Sequence, residues 1–254
     1  MISIMGVNNE IGVIQDLEAI GKIAKKHGVF FHTDCAQAFG KIPLNVDRMH
    51  IDMMSISGHK IYGPKGIGAL YIRQHSGGAG LINGKSEKIK LNPQINGGGQ
   101  EHGIRSGTLA VPLIVGFGKA SELMKIDYKK DEKHIKRLSE KLKAGLREIS
   151  GSRLNGDEKN RYAGNLNFSF EGVDSLNLVQ NLGDKLALST GSACGASHFN
   201  EAVGSYVIKA LGINTAKIGG AVRIGIGRFT TDREVDYAIK IIKDEVERER
   251  KEKR

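Results

Sequence analysis

Twice in the first sixty residues a short apolar run ends on a side chain with chemistry to offer. Val29-Phe30-Phe31-His32-Thr33 delivers Asp34, and Met53-Met54-Ser55-Ile56 delivers Ser57-Gly58-His59-Lys60. Residues 2–5 and 69–72 are two more runs of this kind. Between the runs at 2–5 and 29–33, Leu17, Ile20, Ile23 and Ala24 recur at helical spacing until Gly28 stops the pattern. Short runs alternating with helices build a mainly parallel sheet, because parallel neighbours need crossover connections. The run at 2–5 reads as a buried strand. Open α/β sheets bind ligands beyond the carboxyl ends of their strands, and Asp34 and Lys60 both fall there.

The second half changes character. A glycine-rich connector, residues 76–107, reads as a functional loop rather than a packed element. Helical patterns follow at 111–124 and 132–149, then strands at 165–170 and 186–189 with a helix at 175–182 between them. A short helix at 205–211, a strand at 221–225 and a terminal helix at 231–247 complete an α+β pattern. The fold expected is α/β, with a domain change near residue 123. Residues 1–122 form part of a large mixed-sheet domain, and residues 123–254 a smaller α+β domain.

Composition narrows the function classes. The net charge of +10 invites a nucleic-acid reading, yet the basic residues interleave with acids at helical spacing, as in Lys129-Lys130-Asp131-Glu132-Lys133. Such runs are solvated helix faces, and no aromatic interleaving for base stacking accompanies them. No apolar run reaches the ~18–20 residues of a membrane helix, and the first residues lack the basic start of a signal peptide. Neither nucleic acid nor membrane is expected as a partner, and the compartment expected is the cytoplasm. The two cysteines, Cys35 and Cys194, form no metal-spaced cluster and no disulfide framework.

A lysine just past a strand end, preceded by Ser-Gly-His, suits a Schiff-base lysine. Glycines let the backbone approach a cofactor, and a partly desolvated lysine becomes nucleophilic. The same segment also reads as a glycine-rich turn with a surface lysine. Asp34 shifts the balance, because a pyridoxal ring needs a carboxylate to keep its nitrogen protonated. Taken by itself, Asp34 reads better as a strand-end cap for the next helix. Gln37 and Asn9 are placed to donate to ring oxygens or to serve as turn residues, and spacing does not choose. Cys194 lies among small polar residues, Gly191-Ser192-Ala193-Cys194-Gly195, where an accessible thiol acts as a nucleophile. Cys35 adjoins a buried strand and reads as structural. Arg223, alone in an apolar strand, calls for an anionic partner, either a substrate carboxylate or an internal acid.

Six motifs in order resemble the cysteine desulfurases of iron–sulfur cluster assembly, within the class-V aminotransferase family. They are Val7-Asn8-Asn9-Glu10-Ile11-Gly12, His32-Thr33-Asp34-Cys35-Ala36-Gln37, Ser57-Gly58-His59-Lys60, Arg105-Ser106-Gly107-Thr108, Gly191-Ser192-Ala193-Cys194 and residues 223–230. The resemblance implies a pyridoxal 5'-phosphate enzyme of fold type I and a homodimer. Lys60 would carry the cofactor, Asp34 would pair with its ring nitrogen, and Gln37 and Asn9 would contact its ring substituents. Ser57, His59 and Thr108 of the other subunit would hold its phosphate. Asn9 and Arg223 would bind the substrate, L-cysteine, with Arg223 on its carboxylate. Cys194 would take the sulfur as a persulfide, pass it to a scaffold or another acceptor, and be a metal ligand only as a transient iron–sulfur contact.

Against full-length members the resemblance implies an N-terminal truncation that removes early strands, a phosphate loop and a His stacked on the ring, their source being either a separate N-terminal polypeptide or a longer form of the same chain. It also implies little activity from the 254-residue chain alone. The stretch at 198–204 is longer than usual for the family. A non-catalytic remnant, a selenocysteine lyase and an aminotransferase are the competing readings, and the Cys194 loop speaks against the last.

Overall fold

The structure is a computed structural model that describes residues 1–73, 81–82, 85–86, 89–191, 205–213 and 221–253. Cys194, the rest of its motif after Gly191, and the 198–204 stretch lie outside the described residues. The chain divides into two compact units. One comprises Met1–Gly6 and Gln15–Tyr128, the other Val7–Ile14 and Lys129–Arg254.

In the first unit, β1 (Ile2–Met5), β2 (Phe31–Asp34), β3 (Met53–Ser57) and β4 (Gly68–Ile72) form one sheet in that order. β1, β2 and β3 run parallel. β4 returns antiparallel to β3, pairing Ser57 with Gly68 and Met53 with Ile72, because the short link between them is too brief for a crossover. α1 (Leu17–Lys26) provides the crossover from β1 to β2, with Asp16 capping it by accepting the Ala19 N–H at 2.9 Å. A Cβ on Gly21 would stand 1.9 Å from the Met49 carbonyl oxygen. Only glycine lets α1 lie so close to that segment. β1 is not buried as the sequence implied: Ile4 and Met5 are 36% and 38% exposed. Its place at one edge of this sheet is the reason, since no further strand of the described residues covers it.

The two helices expected at 111–124 and 132–149 are one, α2 (Val111–Arg147). The stretch Lys125-Ile126-Asp127-Tyr128-Lys129-Lys130-Asp131 looks like a break in apolar periodicity. It contains neither glycine nor proline, and its residues continue a helix at little cost. In the connector, Leu81–Ile82 (β5) and Lys85–Ser86 (β6) pair antiparallel.

The second unit is built on an antiparallel sheet of β7 (Ser152–Leu154), β8 (Asn165–Phe170) and β9 (Val222–Gly225), with β8 central. α3 (Ser175–Leu182), α4 (Tyr206–Ala210) and α5 (Asp232–Glu252) complete it. Leu138, Leu142 and Leu146 of α2 pack with Leu166 and Phe168 of β8, Leu178 of α3 and Ile242 of α5, each fully buried or nearly so. Truncating any of these leucines to alanine would cost about 2–5 kcal/mol. The strand expected at 186–189 does not form. Its segment contributes a single bridge, Ser189 to Arg223, on the side of β9 away from β8. β7, only three residues long, was too short to be read from the sequence.

Candidate active site

The first unit assembles five of the sequence-predicted residues. Asp34, the last residue of β2, lies opposite Ser55 of β3, so its side chain and the end of β3 share one edge of the sheet. Ser57 ends β3, and Gly58–Ile61 folds at once into a 3-10 turn that carries His59 and Lys60. Gly58 is required there: a Cβ would meet Ile67 Cγ2 at 2.9 Å and the Pro64 carbonyl at 3.2 Å. Ser57 Oγ and His59 Nδ1 are 3.0 Å apart. Lys60 is half-buried, and among the described residues its Nζ makes no hydrogen bond or ion pair. Both predicted roles of Asp34 remain open to one side chain. Its Oδ1 accepts the Ala36 N–H at 2.8 Å, and the residue is exposed, which leaves Oδ2 accessible to another donor.

Gln37 sits in the helical turn after Asp34, where Lys41 Nζ donates to its Oε1 at 2.8 Å. Burial, reinforced by the charge of Lys60, pushes the Lys41 amine down to about 8. Cys35 of the same turn is fully buried. Burial pushes its thiol up to about 11, against a weaker opposite pull from the Thr33 hydroxyl. At neutral pH it is a thiol, not a thiolate, which fits a structural cysteine. Thr108 is exposed on the segment leading into α2.

The second unit holds Asn9 and Arg223 together. Arg223, on β9, donates from Nε to Ser189 Oγ at 3.2 Å and from Nη1 to the Asn9 carbonyl at 2.9 Å. That carbonyl also accepts from Asn165 Nδ2 at 3.3 Å. The turn carrying Asn9 is closed by Asn8 Oδ1, which accepts the N–H groups of Glu10 and Ile11. It is docked by Gly12 at φ 73°, where a Cβ would stand 2.6 Å from the Asn165 carbonyl. Two fixed bonds set the plane of the guanidinium, as bidentate carboxylate recognition requires. The backbone carbonyl of Asn9 orients Arg223, a role separate from the ring and substrate contacts expected of its side chain. The side-chain amide makes no hydrogen bond among the described residues.

Glu10 was not singled out by the sequence, and neither were Lys41 and Ser189. Glu10 is 2% exposed. Burial raises its carboxyl above the ordinary range, outweighing a hydrogen bond from Ser205 and the charge of Arg223. Its Oε1 makes no hydrogen bond among the described residues. A glutamate inside a turn of polar residues gives no sign of burial in the sequence. Lys41 did leave a trace, since it stands four residues beyond Gln37 in a turn.

The class-V aminotransferase family profile matches residues 1–238. Among curated proteins, a mitochondrial cysteine desulfurase of Candida albicans is 51% identical over 249 residues, covering 97% of this chain and 48% of its own length. The cysteine desulfurase IscS of Rickettsia bellii is 50% identical over 243 residues, covering 95% and 56%. The chain therefore spans about half the length of the curated relatives it matches. Among solved structures, a NifS-like protein superposes with a TM-score of 0.81 at 34% identity, covering 96% of this chain and 60% of the other. A NifS-like protein from Rickettsia africae gives 0.82 at 30% identity, covering 96% and 61%.

Proposed function

The chain belongs to the class-V aminotransferase family, and from that premise we propose that it performs the chemistry of a cysteine desulfurase. L-Cysteine and the Cys194 thiol would give L-alanine and a persulfide on Cys194. The observation that carries the reading is the half-buried Lys60 amine, without a hydrogen-bond partner among the described residues, at the carboxyl end of β3 beside the exposed Asp34.

The family depends on pyridoxal phosphate, and the residues present fit it. A lysine poised to bond covalently, a serine hydroxyl and imidazole side by side, and an accessible carboxylate are its usual donor set. The Lys41 and Lys60 pair makes the surroundings cationic, which suits an anionic group. Bound there, the cofactor supplies an electron sink for charge that develops at the substrate α-carbon. Lys60 would anchor it and, once displaced by the substrate amine, move the α-proton. Asp34 would keep the ring nitrogen protonated. Ser57 and His59 would hold the phosphate, with Thr108 of a second subunit. Gln37 and Asn9 would donate to ring substituents. Arg223, its plane fixed by Ser189 and Asn9, would receive the substrate carboxylate. Cys194 would attack the substrate sulfur as a thiolate.

The finer features belong to the same proposal: a homodimer, an iron–sulfur scaffold as sulfur acceptor, and a cytoplasmic location. Among the described residues no helix is long and apolar enough to cross a membrane. The test is direct. In whatever assembly is active, the protein given pyridoxal phosphate and L-cysteine should release alanine and carry one extra sulfur on the Cys194 peptide by mass spectrometry. Cys194→Ser should release none. Alanine release undiminished in Cys194→Ser would refute the sulfur-accepting role.

A further inference from the structure

Lys41 stands beside the proposed cofactor site without any role in it so far. Its ammonium donates to Gln37 Oε1 at 2.8 Å. The two residues lie four apart on a tight turn, closed by Phe39 N–H to Cys35 O at 2.8 Å and Ile42 N–H to Ala38 O at 3.1 Å. That spacing brings side chains together on one face. The turn itself has little freedom. Cys35 and Ala38 are fully buried, and a Cβ on Gly6 would touch Ala38 Cβ at 3.0 Å. Gly40, at φ 71°, is packed so that a Cβ would meet Ile61 Cγ2 at 3.1 Å and Met124 Cε at 3.0 Å. Ile61 follows Lys60, so the turn bearing Gln37 and Lys41 rests on the turn bearing Lys60.

A side-chain amide has two ends of nearly equal shape and opposite hydrogen-bonding sense. An acceptor in the site, such as a phenolic ring oxygen, needs the NH2 end. An ammonium has three donors and no acceptor, so it can face only Oε1. Resting on the proposed cofactor chemistry, we infer that Lys41 is a positioning residue, whose hydrogen bond to Gln37 Oε1 fixes the amide so that its NH2 end is presented to the cofactor. Burying a cation is costly, and the depressed Lys41 amine records that cost. A methionine or leucine would fill the same space without the cost, and would leave the amide free to turn over.

The test uses the unmodified protein, Lys41→Met, Gln37→Ala and the double variant, with pyridoxal 5'-phosphate as the probe. Affinity is read from the visible absorbance that the bound cofactor gains. Lys41→Met should weaken binding about 5–10-fold in the unmodified background and less than about twofold when Gln37 is already alanine. Equal losses in both backgrounds would overturn the inference, as would no loss in either. A cofactor-free readout separates this inference from the proposed function. The Gln37 side-chain amide signals in a 15N spectrum, identified by their absence in Gln37→Ala, should move in Lys41→Met. Unmoved signals would overturn the Lys41 contact whether or not the cofactor binds. Failure of the unmodified protein to bind the cofactor would instead refute the proposed function, and the amide signals would still decide the role of Lys41.

Discussion

Asp34→Asn separates the two tasks given to one carboxylate. Oδ1 closes the turn after β2 by accepting the Ala36 N–H at 2.8 Å, while the proposed function uses the negative charge to keep a ring nitrogen protonated. Asparagine keeps an acceptor oxygen of the same shape and loses the charge. The turn bond then passes from charge-assisted to neutral. Typical net contributions of ~1.5–3 kcal/mol against ~0.5–1.5 kcal/mol put the loss near 1 kcal/mol. Exposure of Asp34 screens the charge and reduces it further. The cofactor-free melting temperature should therefore fall by no more than about 2–4 °C. Asp34→Ala removes the acceptor as well and should cost about 1 kcal/mol more. In catalysis the two variants should be alike, since losing one preorganised charge partner costs roughly 10²–10³ in kcat. Alanine release at saturating pyridoxal phosphate, set beside thermal melts, measures both effects. If Asp34→Asn kept more than about half of the activity, the charge would not be pairing with the cofactor. If Asn and Ala melted together, the turn bond would be worth nothing.

Borohydride reduction with bound pyridoxal phosphate, followed by peptide mapping, should place the label on Lys60; a label on the exposed Lys65 would displace the assignment. Cys35, buried and with its thiol pushed up to about 11, should resist iodoacetamide in the folded protein and react only on unfolding. Labelling of Cys35 at the same rate in both states would contradict its burial. Asp232 is held down to about 2, chiefly by the Arg137 hydrogen bond with help from Lys141. Its contribution to stability should be present above the ordinary 3.8 and lost as pH falls toward 2. Asp232→Asn should flatten that acid limb of the urea midpoint, and an unchanged limb would mean that the pair is not made. Glu10 runs the other way: its carboxyl is raised above 4.5 by burial, so stability is full below that pH and declines as the group ionises. Glu10→Gln should match or exceed the unmodified protein at about pH 8 and lose any advantage below 4.5. A lower urea midpoint for Glu10→Gln at pH 8 would mean instead that the carboxylate is paired.

Elements whose period and punctuation agree were legible. β2 and β3 each end a short apolar run, and α1 has an aspartate cap and a glycine stop, so Asp34 and Lys60 could be placed at strand ends from residue order alone. The terminal helix α5 was legible for the same reason, beginning at a Thr231–Glu234 capping box. Apart from the unbroken α2, what failed was decided by partners that are distant in sequence. Whether residues 186–189 make a strand depends on how much of β9 they can pair with, and only Ser189 does. Whether Ile4 is buried depends on which side of the sheet has a neighbour. The bond from Arg223 to the Asn9 carbonyl was not legible. The position of Asn9 beside Arg223 follows from a turn docked on β8, and nothing in the local residues says that the backbone carbonyl would be the group used.

The site residues of the first unit share one support, and glycine makes it possible. Ile61, next to Lys60, packs with Phe117, Ala120 and Met124 of α2. The same turn meets α2 twice more, where a Cβ on Gly63 would lie 3.1 Å from Ala120 Cβ and one on Gly116 2.7 Å from Pro64 Cγ. Gly40 brings the turn of Gln37 and Lys41 onto Ile61 and Met124 from the other direction. A covalent anchor and a neutral amide donor are useful to one ligand only if their separation is fixed to within about half an ångström. Side chains on two independent loops would not hold that tolerance. Here both turns are packed against the same few residues of α2 at contacts where an added Cβ would be crowded. The glycines that look like loop residues in the sequence are therefore what make these loops rigid. Lys60 and the turn of Gln37 and Lys41 therefore share one packed support.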